Sequence, residues 1–186
     1  MYKRQVKINS VECLLSRITY VGELGFEIYV PYKNIRDIFN LIFNEGKRED
    51  LKLAGYHALN SLRTEKGYLH WGHDITIEEN PYEAGVGFCV NMEKNDFLGK
   101  KALEDRLKTV PSKRIINLSL FDNNLLLYHN EPIYFDGEPV GEITSGMYGF
   151  SLDKSLGMGY ISPTNKYSIE DMLELQKFEI EIAGSR

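Results

Sequence analysis

A glutamate inside an apolar strand pattern is the first residue with chemistry to offer. Glu27 stands in F-E-I-Y-V, Phe26 to Val30. If that run alternates, Phe26, Ile28 and Val30 share one face while Glu27 and Tyr29 share the other. A carboxylate beside apolar strand residues is costly unless something pairs with it. Two readings of Glu27 are open: a solvated strand face, or a ligand pocket. Together with Tyr20 and Tyr148 it forms a set suited to a flat heteroaromatic ligand. The edge of such a ring presents adjacent N–H donors that one carboxylate accepts as a pair, and its faces call for aromatic walls. Arg63 sits among apolar neighbours in a helical pattern. It is either the partner of a structural carboxylate such as Glu65 or Asp74, or a contact to an anionic tail of the ligand.

Other chemistries find little support. The four histidines are His57, His70, His73 and His129, and none forms the i, i+4 arrangement with a carboxylate that a helix-borne metal site shows. His70 and His73 are the best metal candidates, but a loop whose imidazoles bond backbone or face water is the expectation, and no metal is assigned. There is no G-x-S-x-G, no phosphate-binding loop and no G-x-G-x-x-G before a helix. The segment S-G-M-Y-G around Tyr148 reads as a turn between strands. Cys13 and Cys89 lie far apart among apolar neighbours, which predicts two buried free thiols in a reducing compartment.

The elements that must position these residues follow from periodicity. Leu14 to Tyr20 and Phe26 to Val30 read as two strands joined at a corner that Gly22 and Gly25 permit, the first beginning at Val11. A helix is predicted over Lys33 to Asn44, where Ile35, Ile38, Phe39, Ile42 and Phe43 form a stripe. A second helix is predicted over Gly55 to Lys66, a strand over Gly85 to Asn91, and a third helix over Asp96 to Leu107 with Asp96 as its cap. Pro111 breaks the helical pattern and sets a domain boundary near residue 110. Beyond it come short strands at Arg114 to Phe121, Pro132 to Phe135, Pro139 to Thr144, Ser155 to Ile161 and Gln176 to Ile182, punctuated by N-N, D-G and S-G turns. The fold class is therefore α+β: an antiparallel sheet with covering helices over residues 1–110, then a small β-barrel over 111–186.

Composition narrows the partners. Of 186 residues, 42% are hydrophobic, enough for a packed core. A net charge of -5 argues against nucleic acid, whose phosphates would meet a like-signed surface. No apolar run reaches the roughly 18 residues of a membrane span, and the basic start M-Y-K-R-Q-V-K-I has no apolar stretch behind it. A soluble, cytoplasmic protein is expected.

Four motifs carry a resemblance. Y-V-G-E-L-G-F-E-I at Tyr20 to Ile28 resembles the Y-x-G-E-x-G-[FYW]-E-[IL] signature of the folate-binding aminomethyltransferases, the family of the glycine cleavage T-protein and of the C-terminal halves of dimethylglycine and sarcosine dehydrogenases. A-L-N-S-L-R-T-E-K-G-Y-L-H-W-G-H-D-I at Ala58 to Ile75, N-P-Y-E-A-G-V-G-F at Asn80 to Phe88 and G-E-P-V-G-E-I-T-S-G-M-Y-G at Gly137 to Gly149 are similar to the motifs that follow in that family, in the same order. The K-G-Y-x-x-W-G-H-D form is closest to the dehydrogenase branch. The resemblance implies tetrahydrofolate as cofactor, with Glu27 accepting from the pterin ring and Tyr20 beside it; Tyr148 and, on the second of its two readings, Arg63 join them as candidate folate contacts on their residue types alone.

The resemblance also marks what the chain does not match. The family's catalytic Asp lies upstream of the first motif, and only about 19 residues precede Tyr20, so no residue takes that role. The chain resembles a C-terminal half, which implies a missing N-terminal half or companion subunit as partner, and self-association of the unpaired half. Two functions are weighed: an aminomethyl-transfer module that needs its other half, and a non-catalytic folate-binding or structural module. The family's iron–sulfur-assembly branch, with its K-G-C-[YF]-x-G-Q-E motif, ranks below both because no cysteine stands in the K-G-Y-L-H-W-G-H-D segment.

Overall fold

The computed structural model describes residues 3–185, which divide into two compact units between Tyr68 and Leu69. The first holds a three-stranded antiparallel sheet and two helices. Strand β1 (Lys3–Ile8) turns through Asn9 and Ser10, both with positive φ, into β2 (Val11–Ser16), and β2 pairs with the short β3 (Glu27–Tyr29). Positive φ at both turn residues is the geometry that two-residue hairpin loops require. Strand β1 was not anticipated, because K-R-Q-V-K-I reads as a charged flank and its side chains are indeed mostly exposed. Register places Glu27 opposite Ser16 and Tyr29 opposite Leu14.

Helices α1 (Ile35–Gly46) and α2 (Tyr56–Glu65) fall within one or two residues of the predicted spans. The apolar stripe on α1 is present, but Ile38 is its buried member, while Ile35, Phe39 and Ile42 are exposed. The rings of Phe39 and Phe43 stack on each other at 5.9 Å.

The second unit is built on a five-stranded antiparallel sheet curled into a half-barrel. Its strands are β4 (Arg114–Ser119), β5 (Pro132–Phe135), β6 (Glu138–Gly149), β7 (Lys154–Ile161) and β8 (Phe178–Ile180), in the order β4-β7-β6-β5-β8. The predicted D-G turn is present between β5 and β6, with positive φ at Asp136 and Gly137. Leu127, Ile133, Phe135, Ile143, Ile161 and Met172 are almost completely buried in one cluster, where each such side chain is worth about 1.5–3 kcal/mol of transfer from water. Phe135 meets Tyr167 and Phe178 edge-on at 5.2 and 5.1 Å. The sheet stays open between its edge strands β4 and β8, which flank a groove of about 600 Å³ lined by Leu118, Leu120, Phe121, Phe178 and Ile180.

Four expectations are corrected. The run Gly85 to Asn91 is no strand: Gly85 has a positive φ and Gly87–Cys89 form a single 3-10 turn, so Phe88 and Cys89 are exposed. A short apolar run with two glycines does not distinguish a buried strand from a turn. Only Cys13 is a buried thiol. The S-G step at Ser145 and Gly146 is no turn but the interior of the 12-residue β6. A Cβ on Gly146 would lie 2.2 Å from the Leu127 carbonyl carbon, so glycine serves close backbone approach there. Helix α3 (Lys100–Arg106) starts after Gly99, four residues beyond the cap expected at Asp96. Helix α4 (Ile169–Leu175), with a capping box of Ser168 and Asp171, was not anticipated because its apolar pattern spans only seven residues. No helix of the described residues is long and apolar enough to cross a membrane.

Candidate functional site

Within the first unit the fold brings two motifs together. The loop from β2 to β3 carries Tyr20, Gly22 and Glu23, and the end of α2 carries Arg63, Lys66 and Tyr68. The rings of Tyr20 and Tyr68 stack at 6.4 Å with 26° between their planes. Gly22 has a φ of +72°, and a Cβ there would stand 2.2 Å from Lys66 Cγ, so the lysine stem lies directly against the glycine. Lys66 Nζ also reaches Glu23 at 3.8 Å, an exposed pair of small energetic weight.

Arg63 is buried, at 2% exposure. Its Nε donates to Asn60 Oδ1 at 2.9 Å and its Nη1 to the Tyr68 carbonyl at 3.1 Å, while the Tyr68 amide donates back to the Arg63 carbonyl at 2.9 Å. The guanidinium thus fixes the chain as it leaves α2 and, through Tyr68, the ring that stacks on Tyr20.

Glu27 opens β3 with its side chain exposed, and Tyr29 lies two residues along on the same face. The Tyr29 hydroxyl donates to Glu27 Oε2. That bond, reinforced by the carboxylate charge, raises the Tyr29 phenol above its ordinary value, so Tyr29 remains a donor at neutral pH. The alternation of Glu27 and Tyr29 on one face is what the F-E-I-Y-V pattern predicted. Their mutual bond is new.

Tyr148 lies in the second unit, half-buried near the end of β6. Its hydroxyl donates to Asp153, which raises its pKa, and its ring meets Phe150 edge-on at 5.2 Å. The structure therefore gathers Tyr20 and Arg63 around the end of α2, sets Glu27 on β3 of the same unit, and carries Tyr148 on the other. Sequence reasoning did not single out Lys66, Tyr68 or Tyr29 for the site. For Tyr29 the signal was available in its i, i+2 spacing from Glu27; for Lys66 and Tyr68 it lay only in the K-G-Y motif.

The second unit has its own polar constellation. Asp74 is buried and accepts from Thr144 Oγ1 at 2.7 Å and from the His70 amide at 2.8 Å, and its carbonyl accepts from Tyr160 at 3.0 Å. Glu79 bonds Lys113 Nζ at 2.6 Å and the Thr76 amide and hydroxyl, each at 2.7 Å. Burial alone would raise the Glu79 carboxyl, but these bonds hold it at about 2. Burial and the negative charges of Glu79, Asp74 and Glu83 push the Tyr160 phenol up. Asp74, Thr76, Glu79, Lys113, Thr144 and Tyr160 line a cavity of about 520 Å³ together with Glu142. The imidazoles of His70, His73 and His129 form a row with centroids 5.8 and 5.9 Å apart. Among the described residues, no three His, Cys, Asp or Glu side chains are gathered so as to hold a metal ion.

Residues 1–94 match the GCVT N-terminal domain and residues 113–186 the glycine cleavage T-protein C-terminal barrel domain. The chain is 40% identical over 161 residues, 86% of its length, to 4-methylaminobutanoate oxidase (formaldehyde-forming) of Paenarthrobacter nicotinovorans. It is 32% identical over 182 residues, 97% of its length, to the mitochondrial dimethylglycine dehydrogenase of Homo sapiens. It covers 20% of each of those two proteins. The crystal structure of the glycine cleavage system aminomethyltransferase T of Bartonella henselae superposes with a TM-score of 0.73 at 30% identity, over 81% of this chain and 42% of that one. With both domain descriptions matched in order and a solved T-protein sharing the fold, this chain belongs to the glycine cleavage T-protein family.

Proposed function

We propose that this chain is a tetrahydrofolate-binding module for aminomethyl, one-carbon transfer of the kind found in dimethylglycine or sarcosine dehydrogenases and the T-protein, active together with the family's N-terminal half or a companion subunit that supplies the catalytic Asp. The observation that carries the reading is the meeting, in one unit, of the Y-V-G-E-L-G-F-E loop with the R-T-E-K-G-Y end of α2, through the Tyr20–Tyr68 ring pair and the Gly22–Lys66 contact. Glu27 is the acceptor for the paired N–H donors of the pterin, and Tyr20 is a wall beside it. Arg63 acts by fixing the Tyr68 backbone rather than from solvent. We read the family's domain boundary near residue 110, between the two matched regions, and the cytoplasm as the working compartment.

Tetrahydrofolate titrated calorimetrically against wild type and Glu27→Gln tests the reading. A carboxylate accepting two hydrogen bonds contributes on the order of 2 to 3 kcal/mol once desolvation is subtracted. Glutamine turns one acceptor into a donor facing the ligand's donors, so affinity should fall at least about tenfold. Equal affinities would remove Glu27 from the site. Aminomethyl transfer regained on adding a first-half chain of a family member would establish the module as catalytic; folate binding without regained transfer would leave a binding module only.

A further inference from the structure

We infer that Tyr29 is a positioning residue whose hydroxyl, donating to Oε2 of Glu27 from two residues along the same face of β3, orients the carboxylate that takes the paired N–H donors of a pterin edge. The inference rests on the reading of Glu27 as the pterin acceptor and adds a residue to it.

Five points support it. Glu27 is exposed, and a free glutamate samples several rotamers, most of which point its oxygens away from any one ligand position; ordering them on binding costs affinity. Tyr29 removes that freedom beforehand with a ring that itself has only two torsions. The backbones of both residues are fixed by pairing with β2, Glu27 opposite Ser16 and Tyr29 opposite Leu14, so the spacing between the two side chains is set by the sheet. Each carboxylate oxygen has two lone pairs, so the bond from Tyr29 leaves both oxygens able to accept from a ligand. The Tyr29 phenol, ordinarily 10.0 and raised further by the bond to Glu27, is a donor throughout the neutral range.

The competing account is an ordinary surface pair between neighbours on an exposed strand, and a double-mutant cycle separates the two. Tetrahydrofolate is titrated against wild type, Tyr29→Phe, Glu27→Gln and the double variant, with thermal unfolding followed for each. Tyr29→Phe should weaken binding about fivefold when Glu27 is present and leave it unchanged in the Glu27→Gln background, since the hydroxyl acts through the carboxylate. The same loss in both backgrounds, or no loss in either, would overturn the inference while leaving the Glu27 reading intact. If Glu27→Gln binds as wild type does, Glu27 leaves the site and the inference falls with it; if wild type binds no tetrahydrofolate, the folate reading falls as well. A ligand-free measurement completes the test: with tyrosines labelled at Cζ, the Tyr29 resonance, assigned by its loss in Tyr29→Phe, should titrate above 10.0 in wild type and move back towards it in Glu27→Gln. A titration indifferent to Glu27 would show that the contact is not formed in solution and would overturn the inference whatever the binding data say.

Discussion

Lys66 occupies the space that a side chain on Gly22 would need. An ideal Cβ at Gly22 falls 2.2 Å from Lys66 Cγ and 2.6 Å from Cδ, and the residue has a φ of +72°. Two costs therefore meet at one position: a left-handed backbone, and displacement of the lysine stem from the loop. The backbone cost alone is about 1–2 kcal/mol for a non-glycine residue. Gly22→Ala is expected to lose at least that much stability in urea unfolding. Adding Lys66→Ala should return only the part due to crowding. A neutral Gly22→Ala would mean that the loop does not hold this conformation.

Arg63→Met keeps length and bulk but leaves Asn60 Oδ1 and the Tyr68 carbonyl without their donor. Both acceptors are only partly shielded from water, so a loss of about 1–3 kcal/mol is expected by chemical denaturation. Arg63→Lys should recover only part of it, because an ammonium cannot reproduce the fork of a guanidinium. An Arg63 that served only as a ligand contact would leave stability untouched in both variants.

The pH dependence of stability should carry the mark of Glu79. Its carboxyl titrates at about 2 in the folded chain against an ordinary 4.5, held down by Lys113 and Thr76 against the effect of burial. A depressed folded pKa contributes stability that is fully present above 4.5 and lost as pH falls towards 2. Wild type should accordingly lose more stability than Glu79→Gln between those values, with the two curves parallel above about pH 5. Curves parallel throughout the acid range would show that the Glu79–Lys113 pair adds nothing.

The isolated chain is expected to self-associate. Phe26, Ile28, Ile35 and Phe39 are exposed, and β3, paired with β2 on one side, ends its sheet. Light scattering at micromolar concentration should report a dimer or larger species, and Phe39→Glu, on a helix face open to water, should shift it towards monomer. A monodisperse wild-type monomer would contradict this.

The i, i+3, i+4 stripe of α1 was legible because a 3.6-residue period shows in side-chain type alone, and the alternation of Glu27 with Ile28 was legible for the same reason at a period of 2. The Asp136–Gly137 turn was equally readable, since its positive φ values suit few other residues. Where short apolar runs carried the argument, at Gly85 to Asn91 and in α4, length and period were too small to separate strand, turn and helix. Ser145–Gly146 misled for a different reason. Glycine marks both a turn and a close backbone approach, and only the packing of Gly146 against Leu127 shows which applies.

By itself the sequence determined helices α1 and α2, the Asp136–Gly137 turn, the α+β class, the four family motifs and the residue types that a flat, donor-edged ligand needs, because each of these is encoded by local spacing. Tertiary structure alone decided that Gly22 lies on Lys66, that Tyr20 stacks on Tyr68, that Arg63 holds the Tyr68 backbone and that the Tyr29 hydroxyl goes to Glu27 rather than to water. Most of these contacts join residues that chain folding, not local spacing, brings together. The last joins near neighbours, but the direction of a hydroxyl depends on the side-chain torsions adopted once the strand is fixed, and no residue pattern specifies them.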